Sequence, residues 1–376
     1  LIRWINDLIG FGRRAFGVFT AGGGIANTIA LKIARDRAVG AGARRRGITP
    51  ARAGRLRVYA SDQAHFSVVR SLDVLGLGER ALVKIASDDA MRMRPPALVE
   101  AIRRDRRRGL LPMAVVATAG TTNTGAIDPL AAVARIARRE RIYCHIDAAY
   151  GGALIFSNRY RDRLRGLELG DSVTIDPHKW LFQPFSLGGL FVRDGAVLNA
   201  AFRIEPGYLK KELEREPARL DFYHYSLEGS RPFRGLKLWF TLQALGRRGL
   251  GDLVDRTMAT ALEIERQVRR LDCFELHPAP VELASVCFRY LPSWARRRPG
   301  GPRLRRSART RLDRVQTAIQ QKIERSGQAW FPVIALNQGV FFRLGVFNYR
   351  SGVEDVKATL RLIREAARGL KPGQSG

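Results

Sequence analysis

Residues 113–147 read MAVVATAGTTNTGAIDPLAAVARIARRERIYCHID and contain two apolar runs separated by a helical pattern. The runs MAVVATA and IYCHID are short and nearly free of charge, as expected for strands buried on both faces of a sheet. Between them, PLAAVARIARRERI has the spacing of a helix. A strand, a helix and a second strand in this order predict two parallel strands joined by a helical crossover.

The same alternation extends from residue 20 to about residue 195. Further strand-like runs are LRVYA, ALVKIA, SVTID and GGLFVR, and ALVEAIRRDRRR has another helical pattern. The alternation predicts an α/β fold with a mostly parallel sheet and helices on both faces. In such sheets ligands bind beyond the carboxyl ends of the strands, so functional residues are expected directly after the strands.

The pattern changes in the last third of the chain. Helical patterns in FRGLKLWFTLQALG, in 249–270 and from about residue 353 accompany two apolar strands, LASVCFRY and GVFFRLGVF. These elements predict a smaller α+β domain. We place the large domain at 1–240 and the small domain at 241–376, with a basic, Pro- and Gly-rich surface insertion at 292–306.

The chain has 376 residues, with 65 Lys and Arg against 35 Asp and Glu, and a formal net charge of +30. Such an excess would mark a nucleic-acid-binding protein if the charge formed one tract. Instead, the arginine clusters lie far apart, at 44–46, 103–108 and 296–306. They predict a solvated basic surface and no nucleic-acid partner.

Three cysteines, Cys144, Cys273 and Cys287, show no CxxC spacing and no even framework. This argues against a disulfide scaffold and against a zinc site, and we predict no metal. No apolar run approaches the roughly 20 residues that span a bilayer. The sequence therefore predicts a soluble protein of a reducing cytoplasm, with no membrane partner.

Histidines and an acid follow several of the predicted strands. His65, His145 and His178 lie at or just after strand ends, and Asp147 closes the run IYCHID before the small residues AAYGG. Small residues at that point would let a flat ligand approach the backbone. The alternative is that Asp147 caps a helix.

Three glycines in FTAGGGIANTIAL lead directly into a helical pattern. Exposed backbone N–H groups at a helix start form a cradle for a phosphate, although a plain loop fits the glycines equally well. The stretch matches neither GxGxxG nor GxxxxGK[ST], so dinucleotide and nucleoside-triphosphate sites are disfavoured.

Lys179, in TIDPHKW, follows a buried-type strand and precedes Trp180, Leu181 and Phe182. An apolar neighbourhood disfavours the ammonium form of a lysine, and a neutral amine attacks aldehydes. A Schiff-base lysine, an acid at a strand end and a phosphate cradle are together what pyridoxal 5'-phosphate (PLP) requires. These residues therefore favour a PLP site.

Six stretches, in order, carry a resemblance to a known family: GVFTAGGGIANTIAL, SDQAHFSVVRSLDVLGLG, VVATAGTTNTGAIDPL, HIDAAYGGALIFS, DSVTIDPHKW and SRPFRGLKLWF. Along nearly its whole length the chain resembles the group II PLP-dependent amino-acid decarboxylases, which include the aromatic-L-amino-acid, glutamate and 2,4-diaminobutyrate decarboxylases. The resemblance implies PLP fold type I, the aspartate-aminotransferase-like α/β fold. It also implies conversion of an L-amino acid to an amine and carbon dioxide.

The resemblance further implies roles for individual residues around the cofactor. Lys179 corresponds to the lysine that binds PLP as a Schiff base, and Asp147 to the partner of the pyridine nitrogen. Ala149 matches the small residue under the ring, and Thr122 matches the threonine beside it.

Four more positions follow from the same resemblance. His65 corresponds to the histidine stacked on the other face of the ring, and His178 to the histidine near cofactor and substrate, so both are expected to act in catalysis. Gly23 and Gly24 correspond to residues whose backbone N–H groups bind the phosphate. For His65 the alternative is a capping or core histidine.

Tyr208, in FRIEPGYLKK, corresponds to the tyrosine of a loop that closes over the active site and returns a proton to the alpha carbon. Relatives with phenylalanine there tend towards oxidative deamination to an aldehyde. Tyr208 therefore favours simple decarboxylation, and the alternative is a surface tyrosine at a helix start.

The resemblance also implies a homodimer with its active sites at the subunit interface. Relatives carry an N-terminal helical arm before the region that resembles WINDLIGF, and we expect this arm to be missing here. Another departure falls at Gly24 and Ile25, where relatives have Thr or Ser followed by Glu, so one hydroxyl contact to the phosphate is expected to be lost.

The leading substrate class is an aromatic L-amino acid, because DPHKW fits that branch of the family. 2,4-Diaminobutyrate and glutamate stay open, since the diaminobutyrate branch shares HIDAAYGG. An aldehyde-forming or catalytically degenerate PLP protein is an alternative on the same fold. A basic nucleic-acid-binding protein on this scaffold is the alternative from another class.

Overall fold

The structure is a computed structural model that describes residues 1–40, 42–204, 220–296 and 305–370. The chain divides into two compact units. The first comprises Leu1–Thr121 and Ile127–Asp252, and the second comprises Thr122–Ala126 and Leu253–Gly376. The domain limits given above, at 1–240 and 241–376, stay predictions.

The first unit is built on a sheet that has seven strands within the described residues. In chain order they are β1 (Phe16–Thr20), β2 (Leu56–Ser61), β3 (Leu82–Ile85), β4 (Leu111–Thr118), β5 (Tyr143–Asp147), β6 (Ser172–Ile175) and β7 (Gly188–Val192). They lie side by side in the order β1-β7-β6-β5-β4-β2-β3. Strands β2 to β6 pair in parallel, whereas β7 is antiparallel to both of its neighbours. The predicted mostly parallel sheet is confirmed.

The central strands owe their apolar composition to burial on both faces. The last six residues of β4 are buried, and so is every residue of β5, β6 and β7. A strand covered by helices on both sides has no solvent face, so its sequence shows an unbroken apolar run instead of alternation.

Nine α-helices that lie wholly within the first unit, among the described residues, accompany these strands. They are α1 (Ile2–Ile9), α2 (Gly23–Val39), α3 (Ala43–Arg46), α4 (Pro50–Ala53), α5 (Ser67–Val74), α6 (Pro95–Arg107), α7 (Leu130–Arg139), α8 (Pro177–Trp180) and α9 (Ala196–Phe202). The most deeply packed is α2, in which Ala26, Ile29, Ala30 and Leu31 are each no more than 1% exposed. The start of α2 is therefore held firmly against the sheet.

The second unit contains an antiparallel sheet of β8 (Phe274–Leu276), β9 (Ser285–Tyr290), β10 (Val333–Leu336) and β11 (Gly339–Gly345). Its order is β10-β11-β9-β8 among the described residues. Helices Arg306–Arg325 and Val353–Arg368 accompany this sheet. The helix Gly235–Arg269 begins in the first unit and ends in the second, and it is interrupted at Gly246, where φ is 65°. A positive φ is easily adopted only by glycine, which explains that residue at the break.

The predicted strands LASVCFRY and GVFFRLGVF contain β9 and β11, and the helix predicted from about residue 353 spans Val353–Arg368. Most of the predicted insertion at 292–306 lies outside the described residues. None of the helices in the described ranges combines the length and apolar composition needed to cross a membrane.

Candidate active site

The residues that follow β5 and β6 meet the start of α2 in the first unit. The backbone N–H of Asp176 donates to the carbonyl of Ala149 at 3.1 Å, which ties the segment after β6 to the segment after β5. The backbone N–H of Gly23 donates to Asp176 Oδ2 at 2.9 Å. Three segments that are distant in sequence thus form one site at the carboxyl ends of the strands, where ligands bind in sheets of this kind.

Asp147 lies at the last position of β5 and is 6% exposed. Its Oδ2 accepts a hydrogen bond from Asn27 Nδ2 at 2.8 Å, and its Oδ1 accepts one from the backbone N–H of Ala149 at 3.1 Å. Because both oxygens are held, the carboxylate has a fixed orientation. It can therefore face a cationic ligand atom without rearranging.

Asn27, on α2, is the centre of a buried network that the sequence analysis missed. Its Oδ1 accepts hydrogen bonds from His145 Nε2 at 3.0 Å and from the hydroxyl of Thr174 at 2.9 Å. His145 Nδ1 lies 2.8 Å from the Ser172 hydroxyl. Burial lowers the pKa of His145 to about 4, with Asp147 opposing the shift, so the imidazole is neutral at pH 7. The neutral ring donates from Nε2 and thereby fixes which end of the Asn27 amide faces Asp147.

The glycines at the start of α2 leave room for close contacts. A Cβ on Gly23 would lie 2.8 Å from Asp176 Oδ2 and 3.1 Å from the Cβ of Ala149, so no larger residue fits there without a shift. A Cβ on Gly24 would meet nothing within 4 Å, so the surroundings of this residue are open. The N-terminus of a 17-residue helix carries a partial positive charge, which attracts anions.

Lys179 lies in the short helix α8, directly after β6. Its Nζ is 3.2 Å from Asp176 Oδ2, and its side chain is 39% exposed. Its neighbour Trp180, in contrast, is 0% exposed and stacks on Tyr150 with ring centroids 4.9 Å apart. The expectation that these neighbours bury the amine is therefore wrong. The reason is that consecutive residues of a helix point in different directions, so apolar neighbours in sequence need not surround the lysine.

His65 and His178 both belong to the site. His65 Nδ1 lies 2.9 Å from the Ser67 hydroxyl and accepts the backbone N–H of Ser67 at 3.2 Å. Asn27 Nδ2 donates to the same hydroxyl at 3.0 Å, so Ser67 links His65 to Asn27. Burial lowers the pKa of His65, and the charge of Asp147 opposes this. The neutral ring therefore carries its proton on Nε2.

His178 is oriented by a backbone contact, because its Nδ1 accepts the N–H of Leu187 at 2.9 Å. Its Nε2 lies 3.6 Å from Asp176 Oδ2. Burial lowers the pKa of His178, and the Asp176 carboxylate opposes that shift. His178 therefore lies next to the Asp176 carboxylate, with its ring orientation set by Leu187.

Two of the sequence-predicted site residues are not placed at this site. Thr122 belongs to the segment Thr122–Ala126, which groups with the second unit. Tyr208 lies outside the described residues. Their roles stay predictions.

A mostly parallel α/β sheet with a lysine, a fixed buried carboxylate and a glycine-lined helix start at its strand ends is typical of one class, the PLP-dependent enzymes of fold type I. The model of the pyridoxal-dependent decarboxylase conserved domain matches residues 1–291. The chain therefore belongs to the pyridoxal-dependent decarboxylase family. As such it is a PLP-dependent amino-acid carboxy-lyase, and the resemblance noted in the sequence is confirmed.

Two curated relatives show how far the similarity extends. An aromatic-L-amino-acid decarboxylase of Bacillus atrophaeus is 32% identical over 366 residues, which cover 97% of this chain and 72% of the relative. An L-2,4-diaminobutyrate decarboxylase of Rhizobium meliloti is 36% identical over 357 residues, which cover 95% of this chain and 67% of the relative. The crystal structure of Oryza sativa TDC with PLP and tryptamine superimposes with a TM-score of 0.87 at 28% identity, covering 98% of this chain and 74% of that one.

The residues present fit PLP. Asp147 offers an oriented carboxylate for the pyridine nitrogen, and Lys179 offers an amine that is partly exposed and so accessible to an aldehyde. The open surroundings of Gly24 at the start of α2 suit a phosphate. Each of the three chemical groups of the cofactor therefore has a matching group in the first unit.

Proposed function

We propose that the protein decarboxylates an L-amino acid to the amine, with an aromatic amino acid as the leading substrate class. The observation that carries this proposal is the fixed, buried Asp147 carboxylate at the end of β5, in a site where Asp176 contacts both Lys179 and the start of α2. The similarity to an aromatic-L-amino-acid decarboxylase supports the aromatic preference. 2,4-Diaminobutyrate is the second candidate, because a relative with that activity covers a similar share of the chain at 36% identity. Glutamate is the third.

When bound, PLP supplies an aldehyde for amine capture and a ring that accepts the electrons left by the departing carboxylate. Lys179 would hold the cofactor through its amine, which is the group that reacts with an aldehyde. Asp147 would hold a proton at the ring nitrogen, because its carboxylate is buried and oriented by two hydrogen bonds. The Asn27 and Ala149 donors keep this carboxylate in place through the cycle.

The two histidines are assigned different contacts. His65 presents a neutral imidazole whose tautomer Ser67 fixes, and such a flat, uncharged ring suits packing against the cofactor ring. His178, held by the N–H of Leu187, is assigned to the neighbourhood of substrate and cofactor. Ala149 is assigned to the space under the ring, since its side chain is small and it lies next to Gly23. Thr122 is assigned to the side of the ring by resemblance alone.

Tyr208 is proposed to return the proton to the alpha carbon after carbon dioxide leaves. Replacing it with phenylalanine should keep the cofactor absorbance and divert product from amine to aldehyde, with dissolved dioxygen as the oxidant that is reduced to peroxide, because the proton donor is lost while the binding groups remain. Chromatography measures the ratio of amine to aldehyde, and ammonia and peroxide are assayed in parallel. An unchanged amine yield in Tyr208→Phe would remove Tyr208 from this role.

The proposed assembly is a homodimer with the active sites at the subunit interface. Large apolar side chains near the site are exposed: Phe185, which packs on His178, is 80% exposed, and Phe66, next to His65, is 58% exposed. Exposed aromatic groups of this kind commonly mark a surface that a partner covers. Light scattering of the purified, PLP-loaded protein should give twice the mass of one chain, and the mass of a single chain would contradict the proposal.

A cytoplasmic location is proposed as well, since Cys144, Cys273 and Cys287 are free thiols in buried positions. A decarboxylation screen over the twenty standard amino acids and 2,4-diaminobutyrate tests the function itself. The proposal expects carbon dioxide and amine in equal amounts from an aromatic substrate. Turnover of diaminobutyrate or glutamate alone would replace the aromatic assignment, and turnover of none would contradict decarboxylation.

A further inference from the structure

Asp176 presents a second carboxylate at the start of α2, and it is 2% exposed. Its Oδ2 accepts the backbone N–H of Gly23 at 2.9 Å and lies 3.2 Å from Lys179 Nζ and 3.6 Å from His178 Nε2. Its Oδ1 is buried and has no hydrogen-bond partner among the residues that the structure describes. Oδ2 therefore lies close to three polar groups, whereas Oδ1 has no hydrogen-bond partner among the described residues.

Glycines make space for this carboxylate on two sides. A Cβ on Gly23 would lie 2.8 Å from Asp176 Oδ2, and a Cβ on Gly188 would lie 2.6 Å from Asp176 Oδ1. Both distances are shorter than real Cβ contacts allow. The absence of side chains at Gly23 and Gly188 therefore allows the Asp176 carboxylate to lie against the start of α2.

The carboxylate holds the position that suits a ligand anion. No acidic residue lies in the first turn of α2, so Asp176 is the acid that meets the positive end of this helix through the N–H of Gly23. A phosphate monoester carries about 1.5 to 2 negative charges near pH 7. Two anions at one helix start repel each other, most strongly where little water screens them.

Lys179 adds a second conflict. Its ammonium pairs with Asp176 Oδ2, yet only a neutral amine attacks an aldehyde. Capture of the cofactor therefore requires Lys179 to give up both a proton and this ion pair. Asp176 opposes cofactor binding at the helix start and at the lysine alike.

We propose that Asp176 is an internal anion that competes with the cofactor phosphate for the start of α2 and thereby limits how tightly PLP is held. The inference rests on the use of Lys179 and α2 described under the proposed function. Asp176 is a positioning residue, because it acts through the N–H of Gly23 and the amine of Lys179. The charged and titratable groups around it are Lys179, His178 and His65, with Lys237 close to His178. Burial raises the pKa of Asp176, while Lys179 and His178 oppose the shift. The direction is that expected for a carboxylate whose charged form is poorly solvated.

The test compares three probes in the wild-type chain and in Asp176→Asn. PLP binding is followed by its absorbance, and the binding of pyridoxine 5'-phosphate, which lacks the aldehyde, and of pyridoxine, which lacks the phosphate, is followed by calorimetry. Removal of one like charge should lower the Kd of both phosphorylated probes roughly tenfold and slow the release of PLP. The Kd of pyridoxine should not change.

Two further variants separate charge from other effects. Asp176→Ala removes the charge without adding a donor and should also tighten binding of pyridoxine 5'-phosphate. It also keeps the test decisive if Asp176→Asn does not fold. Asp73→Asn makes the same change of charge at an exposed position of α5 and should leave all three dissociation constants unchanged.

The outcomes are distinct. Unchanged or weaker binding of pyridoxine 5'-phosphate in both Asp176 variants would overturn the competition, and so would an equal gain for pyridoxine. If the wild-type chain forms its Schiff base with PLP and only this gain is missing, the competition fails and the proposed function stands. If the wild-type chain forms no Schiff base at saturating PLP, both fail.

Discussion

Replacing Lys179 with alanine should abolish the visible absorbance that PLP gains on binding and should lower turnover by at least about 10⁴-fold, since a lost nucleophile is not replaced by its neighbours. The chain should still fold. Lys179 is 39% exposed, so its truncation removes little core packing, and Asp176 Oδ2 keeps its hydrogen bond from the N–H of Gly23. Absorbance titration with PLP and a carbon dioxide assay measure the two losses, and thermal unfolding confirms the fold.

The matched control is Lys84→Ala. Lys84 is an exposed lysine on β3, at the edge of the same sheet, and its removal should change neither readout. Residual turnover in Lys179→Ala within tenfold of the wild-type rate would rule out Lys179 as the nucleophile. Loss of absorbance in both variants would point to a general effect of lysine removal.

Replacing Asp147 with asparagine should lower turnover by about 10³-fold or more, because the ring nitrogen loses the charge that keeps it protonated. The structure also predicts a stability cost. An amide at this position cannot accept from both Asn27 Nδ2 and the N–H of Ala149, so one buried donor is left unpaired at a cost of about 1–3 kcal/mol. Steady-state kinetics and denaturant unfolding measure the two effects.

Asp171→Asn is the control for this change. Asp171 accepts the backbone N–H of Cys144 at 2.8 Å, so it also bonds to β5, but near the opposite end of the strand from Asp147. It should cost stability without a comparable loss of turnover at saturating substrate and cofactor. If Asp147→Asn kept near-wild-type turnover in a folded protein, the assignment of Asp147 to the ring nitrogen would be wrong.

The six strands predicted in the first domain all appear as β2 to β7. Five of them, β2 and β4 to β7, are buried along most or all of their length, which leaves nearly continuous apolar runs in the sequence. Strand β1 was missed. It spans five residues and contains Gly17, where a Cβ would lie 2.7 Å from the carbonyl of Leu190. A glycine in so short a run hides the strand pattern, and the reason for the glycine is a contact with β7 that lies far away in the sequence.

The candidate site was predicted in its main residues but not in its supporting contacts. The resemblance predicts site roles for Asp147, Lys179 and His65, but it predicts none for Asn27. The available signal was a polar residue four positions after Gly23, on the same face of α2 as the glycine. Its importance comes from hydrogen bonds to Asp147 and His145 on β5 and to Ser67 on α5. These elements are distant from α2 in the sequence, so only the fold brings the four residues together. The ion pair between Asp176 and Lys179 likewise depends on the turn of α8.

The central claim is a covalent link between PLP and the amine of Lys179. Its most direct test is borohydride reduction of the PLP-loaded protein, followed by proteolysis and mass spectrometry of the peptides. We expect one pyridoxyl phosphate group, located on Lys179 and missing from Lys179→Ala. Label on another lysine, or none after incubation with saturating PLP, would contradict the account.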